Sequence, residues 1–249
     1  VSLRGFQQAL GALVASPDLC LRLRSGEDVL DVYESSERER GRLQSMVQQR
    51  GMSVNCTLYR ANRVMPLYSL LPYSCTLLGE RLADEVSLFW SSEPTDMQFG
   101  PEVERFAGFL TTRLDSGELY VPHMREVLEF EVALAGLRFL PRRSLLSSLD
   151  GRVPGGSWEV NPLLRIVRFA NDPGVLLSAL VQGNAPPTDI AAGDFYIVLD
   201  ATAAEIAIRP LSPGLGARLM SVAAGGAAVD DDSPETRALI DARMLVPAS

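Results

Sequence analysis

Residues 195–213 read Phe-Tyr-Ile-Val-Leu-Asp-Ala-Thr-Ala-Ala-Glu-Ile-Ala-Ile-Arg-Pro-Leu-Ser-Pro, and this stretch decides the fold class. Runs 195–199 and 205–209 are rich in β-branched and aromatic residues, and the five residues between them predict a hairpin. Ser212-Pro213 then opens a short helix ending at Gly225-Gly226. Ser233-Pro234-Glu235 opens another through Ala242, ahead of an apolar tail at Met244-Leu245-Val246. Upstream, residues 164–169 predict a strand, and Asn171-Asp172-Pro173 caps a helix through Val181. Strands followed by two helices and an apolar tail predict a small winged-helix-like domain over 160–249.

Before this domain the pattern is helical. Leu3, Phe6, Leu10, Leu13 and Val14 recur at helical spacing, and Ser16-Pro17-Asp18 stops that helix and starts the next. Ser36-Glu37-Arg38-Glu39 predicts a capping box, opening a helix that ends near Gly51. A short helical stretch follows from about Val54 to Pro66, then one helix over 76–90. Pro101 and Pro122 mark two further helix starts. The first helix buries Val103, Phe106, Phe109 and Leu110, and the second Val127, Phe130, Leu134 and Leu137. The turn-rich residues 150–159 read as a linker. The expectation is α+β: an all-helical domain over 1–149, then the winged-helix-like domain.

Composition narrows function. The chain has one histidine, His123, and all its basic residues are arginines. GC-rich codon usage accounts for the missing lysine but not for the scarcity of histidine. Proton transfer, nucleophilic catalysis and metal ligation lean on these two residue types, so the expectation is a protein that holds or docks rather than one that catalyses. A net charge of −8 argues against extensive phosphate contact. Residues 1–14 lack a signal-peptide layout and no stretch reaches the length of a membrane span, so a cytoplasmic protein is expected.

Candidate sites are few. Cys20, Cys56 and Cys75 have no Cys-x-x-Cys spacing and read as small buried hydrophobes. His123 reads as a surface or helix-start residue. Glu129 and Glu131 read as one exposed acid and one paired with an arginine. Arg138, Arg142 and Arg143, near Arg152, read either as a solvated helix end or as a site for acidic groups on a peptide or partner. Phe195, Tyr196, Ile197 and Val198 form a strand that could add a peptide strand if it lay at a sheet edge.

A series of motifs spans roughly 55–135. Leu58-Tyr59-Arg60-Ala61-Asn62 precedes Leu70-Leu71-Pro72-Tyr73 and Leu77-Leu78-Gly79. After Phe89 come Asp96, Gly100, Phe106, Phe109-Leu110, Pro122 and Glu129-Phe130-Glu131-Val132-Ala133. In order and spacing this resembles the family of HvfC- and BufC-type proteins, named for a DNA-binding domain, with the MbnC-type partner more distant. The Phe of that family's Phe-Pro step is Leu71 here. Residues 16–22 and 36–40 are loosely similar to helical leader modules of the Nif11 type.

The resemblance implies a non-catalytic partner subunit in the biosynthesis of ribosomally made peptide natural products. It would form a heterodimer with a TIM-barrel enzyme that carries a multinuclear non-haem iron site, and help recognise the precursor's leader. Iron would belong to the partner enzyme, with no cofactor in this chain. Tyr59, Arg60, Asn62 and Arg63 are the contact candidates that the first motif implies, and a role tying helices together is the other reading of the same residues. Alternatives are a winged-helix transcription regulator and a freestanding enzyme using Cys56 or His123.

Overall fold

The computed structural model describes residues 3–92, 99–150, 157–225 and 233–248. Linker residues 151–156 with Arg152, the motif residue Asp96, and Gly226 lie outside the described residues. The fold is mixed α+β and rich in helix.

The N-terminal helices start where their caps predict. α1 (Leu3–Ala15) is followed by α2 (Pro17–Arg24), with Pro17 at the first helical position and the Ser16 hydroxyl accepting from the Leu19 N–H at 3.2 Å. α3 (Glu37–Val47) has the full capping box. Ser36 accepts from the Glu39 N–H, and the Glu39 carboxylate accepts from the Ser36 N–H at 2.8 Å.

Three later expectations need correction. Gly51 does not end a helix; it sits in the first turn of α4 (Arg50–Leu70), a single helix of 21 residues. Pro66 lies inside that helix rather than ending it. The ring removes one backbone donor, but Pro66 and Leu67 are buried, and tertiary packing outweighs the lost hydrogen bond. The helix expected over 76–90 is instead α5 (Pro72–Leu78), a 3₁₀ turn (Gly79–Arg81) and α6 (Leu82–Ser92). Gly79 divides them at φ 51°, ψ −122°, a conformation that a Cβ disfavours.

α7 (Phe99–Asp115) and α8 (Met124–Arg138) complete the core, and α9 (Arg142–Asp150) follows. His123 caps α8 in the left-handed region at φ 62°, with its Nδ1 2.9 Å from Glu126. α1–α4 close around Leu13, Leu43, Val47 and Met52. α4–α8 close around Phe89, Phe106, Leu110 and Met124.

The C-terminal part holds β1 (Trp158–Val160), β2 (Leu164–Asn171), α10 (Pro173–Val181), β3 (Ala192–Asp200), β4 (Ala207–Leu211), α11 (Pro213–Ala223), α12 (Pro234–Asp241) and β5 (Leu245–Pro247). The expected hairpin is present, with Leu199 opposite Ile208. β2, β3 and β4 form one antiparallel sheet in that order, and β1 pairs with β5 in a second.

β3 is therefore the central strand, which overturns its reading as a peptide-accepting edge. β2 takes the backbone groups on one side of Phe195, Tyr196, Ile197 and Val198, and β4 takes partners on the other side of Tyr196, Ile197 and Val198. Residues 196–200 are buried in succession because both faces of the strand are covered. Ile197 and Leu199 join Phe130, Phe169 and Leu176 in one core, whereas Val198 joins Leu164, Leu219 and Leu239 in another.

α8 connects the helical and sheet-containing parts. Met124 and Leu128 belong to the helical core, while Val127, Phe130 and Leu137 belong to the core built on β2, β3 and α10. Glu126 adds polar ties, accepting from the Ala170 N–H at 2.7 Å and the Asn171 side chain at 3.0 Å, where β2 shifts register.

Candidate functional site

The first motif divides by helical geometry. On α4, Tyr59 and Arg63 are one turn apart and face the core, while Arg60 and Asn62 are exposed. The spacing of 59, 62 and 63 predicts that all three share one side of a helix, but Asn62 is exposed and does not join Tyr59 and Arg63 on the inward side. Each residue advances about 100° around a helix, so Asn62 falls about 60° to one side of Tyr59 and Arg63 about 40° to the other, and the core covers only the Arg63 flank.

Arg63 is 2% exposed and donates from Nε to Glu102 Oε1 at 2.6 Å. Glu102 is equally buried in the first turn of α7, where the helix dipole favours a carboxylate. The Arg63 guanidinium lies 5.0 Å from the Trp90 ring centroid and 5.9 Å from that of Tyr59. Arg63 Nη2, Tyr59 Oη and Trp90 Nε1 are buried without hydrogen-bond partners. Removing one member of such a pair leaves the other charge unpaired, at a cost of about 3–5 kcal/mol. Tyr59 and Arg63 therefore hold α4, α6 and α7 together.

The outward side of α4 carries something the motif does not reveal. Val54, Leu58, Ala61, Met65 and Tyr68 follow one another at alternating steps of four and three and form a continuous exposed stripe. Leu58 and Met65 are 56% and 57% exposed. Opposite them, Met52, Cys56, Tyr59, Arg63 and Leu67 face the core, so α4 is apolar on two opposed sides.

Beside the stripe, α4 and α6 enclose a groove of about 660 Å³. Small residues, Ala61, Gly79, Ala83 and Ser87, let it run close to the backbone, and Tyr68 and Trp90 form aromatic walls. Arg60 and Glu80 also line it, and the Arg60 guanidinium is 5.8 Å from the Trp90 centroid. Apolar side chains flanked by one cation and one anion suit an amphipathic helix. The 4-3-4-3 spacing is visible in the sequence, but it was masked by the equally regular inward set on the same helix.

The other candidates fare differently. Arg142 donates to the carbonyls of Ala203 at 3.3 Å and Ala204 at 2.8 Å, tying α9 to the β3–β4 turn, whereas Arg138 and Arg143 are exposed. Glu131 is buried, and its hydrogen-bond partners are backbone donors rather than an arginine. It accepts from the N–H groups of Tyr73 at 2.6 Å and Ser74 at 2.8 Å, capping α5 from another helix. Burial pushes its carboxyl up to about 7, against the pull of those hydrogen bonds and of Arg138. Cys75 lies in the helical core, its thiol pushed up to about 12 by burial and then by the charge of Glu131. Among the described residues, no three His, Cys, Asp or Glu side chains gather as a metal site, and no helix is long and apolar enough to cross a membrane.

No protein-family model matches the chain, and no curated protein matches it.

Proposed function

We propose that this chain is a non-catalytic partner subunit that binds an iron-dependent oxidative peptide-modifying enzyme and helps recognise the leader of a ribosomally made precursor peptide. The supporting observation is the exposed stripe of α4 beside the α4–α6 groove. Patches of this kind on a helix mark interaction surfaces, because a stripe at heptad spacing is completed by a second helix. In this reading the leader docks as an amphipathic helix against Leu58, Met65 and Tyr68, with its charges meeting Arg60 and Glu80. Turnover and iron belong to the partner enzyme.

The C-terminal unit is read as winged-helix-like from the α11–α12 pair beside the β1–β5 ribbon. α11 carries one arginine, Arg218, and α12 carries Arg237 against Glu235 and Asp241, a balance that suits peptide or protein contact better than phosphates.

The test is co-expression with a non-haem-iron barrel protein of the same genome and its precursor peptide. The expected result is a stable complex and peptide modification that requires this chain. Leu58→Glu/Met65→Glu keeps the wild-type Tm but weakens leader binding at least tenfold by fluorescence anisotropy. Unchanged binding by that variant, or modification that proceeds without this chain, refutes the reading.

A further inference from the structure

Cys20 and Cys56 are 36 positions apart and lie on different helices, α2 and α4. The fold brings their sulfurs to one point. Cys20 Sγ is 3.0 Å from the Leu13 carbonyl oxygen and Cys56 Sγ is 3.6 Å from the same atom. The Cys56 thiol also raises the pKa of the Cys20 thiol through charge and hydrogen bonding, so the two are direct neighbours. Both cysteines are free, and both line a cavity of about 230 Å³ together with Leu21, Arg24, Met52 and Arg60. Packing alone does not call for two adjoining thiols, since small aliphatic side chains would fill the same space. Cys75 is in a separate core and lines a different cavity.

We propose that Cys20 and Cys56 are a redox-modification site, an oxidisable pair that closes to a disulfide by exchange with small-molecule disulfides of the glutathione class. Both cysteines are buried, so the disulfide end of the reagent has to enter this cavity to reach them, and Arg24 and Arg60 on its wall complement the reagent's carboxylates. The thiolate of one cysteine of the pair attacks one sulfur of the incoming disulfide, forming a mixed disulfide and releasing the first small thiolate, which takes up a proton. The other cysteine, deprotonated in turn, attacks the first one's sulfur, forms the internal bond and releases the second small thiolate. Two protein thiols are oxidised and one small disulfide is reduced to two thiols. Burial pushes the Cys20 thiol up to about 11, which slows the exchange at neutral pH. The closed bond pins α2 to α4 across the loop that contains α3, restricting the unfolded chain. The cavity shares Thr57 and Arg60 with the α4–α6 groove, but the proposal does not depend on what that groove binds.

The full chain is equilibrated with oxidised glutathione, alkylated under denaturing conditions and mapped by mass spectrometry. The expected product has lost about 2 Da, retains one alkylatable thiol, on Cys75, and yields a peptide linked between Cys20 and Cys56. Its Tm rises by roughly 5–10 °C and returns on reduction. Cys75→Ser closes normally, whereas Cys56→Ser forms no internal bond. Three alkylatable thiols after excess oxidant, a link through Cys75, or only glutathione adducts without an internal bond would each overturn the assignment. The wild-type map is decisive even if a cysteine variant folds poorly.

Discussion

The carboxyl group of Glu131 caps α5 although it belongs to α8, and only 1% of the residue is exposed. Its proton is bound more tightly in the folded chain, where the pKa is about 7, than in the unfolded chain, with an ordinary value of 4.5. Between those values the folded state holds more protons, so this group's contribution to stability is complete below about pH 4.5 and is lost as the pH rises through 7. The size is roughly 3 kcal/mol. Urea denaturation at pH 5 and pH 7.5 should give a difference in unfolding free energy that is smaller by about that amount in Glu131→Gln, where the amide cannot titrate. Equal pH dependence in the two proteins would sink this account. The sequence marks Glu131 as an acid on a helix. That its partners are the Tyr73 and Ser74 amides, 57 and 58 positions away, depends on how α5 and α8 cross.

Among the elements, α11 shows how one close contact sets a helix on a sheet. Gly216 faces the Tyr196 ring so closely that a Cβ there would lie 2.1 Å from the ring's Cγ. Two residues earlier, a Cβ on Gly214 would meet nothing within 4 Å. Gly216→Ala should therefore cost about 1–3 kcal/mol by overpacking, and lower the Tm, whereas Gly214→Ala should be neutral or slightly stabilising. Differential scanning calorimetry of the two variants separates the effects, and equal Tm values would contradict the close contact. Caps and turns could be read locally, because Ser16-Pro17, Ser36 to Glu39, Asp172-Pro173 and Ser233-Pro234 each satisfy their own helix start. The interior Pro66 and the break at Gly79 could not, because tertiary contacts decide whether a helix runs past a proline.

At the scale of the whole molecule, α8 makes the helical and sheet-containing parts depend on each other. Phe130 is 1% exposed and packs edge-on against Phe169 of β2 at 6.0 Å, while Met124 and Leu128 of the same helix are buried in the helical core. Phe130→Ala should cost about 3–5 kcal/mol. If the two cores unfold together, the loss appears equally at Trp90, in the helical part, and at Trp158, in the C-terminal part. Denaturant titrations of single-tryptophan variants, Trp158→Phe and Trp90→Phe, provide the readout. A midpoint that falls only in the protein retaining Trp158 would mean that the sheet unfolds alone.

The sequence by itself determined where most elements begin, that helices precede a hairpin, and that hydrophobic residues suffice for several cores. These properties follow from periodicity and capping, which act over a few residues. Tertiary structure alone decided that β3 is central, that Tyr59 and Arg63 point inward, and that Cys20 meets Cys56. It also decided which of α4's two apolar sides is left exposed. A single helix with two hydrophobic sides carries no mark of which one the fold will cover. That choice is made by the neighbouring helices, through the burial of Arg63 with Glu102 and the packing of Phe89 against Phe106.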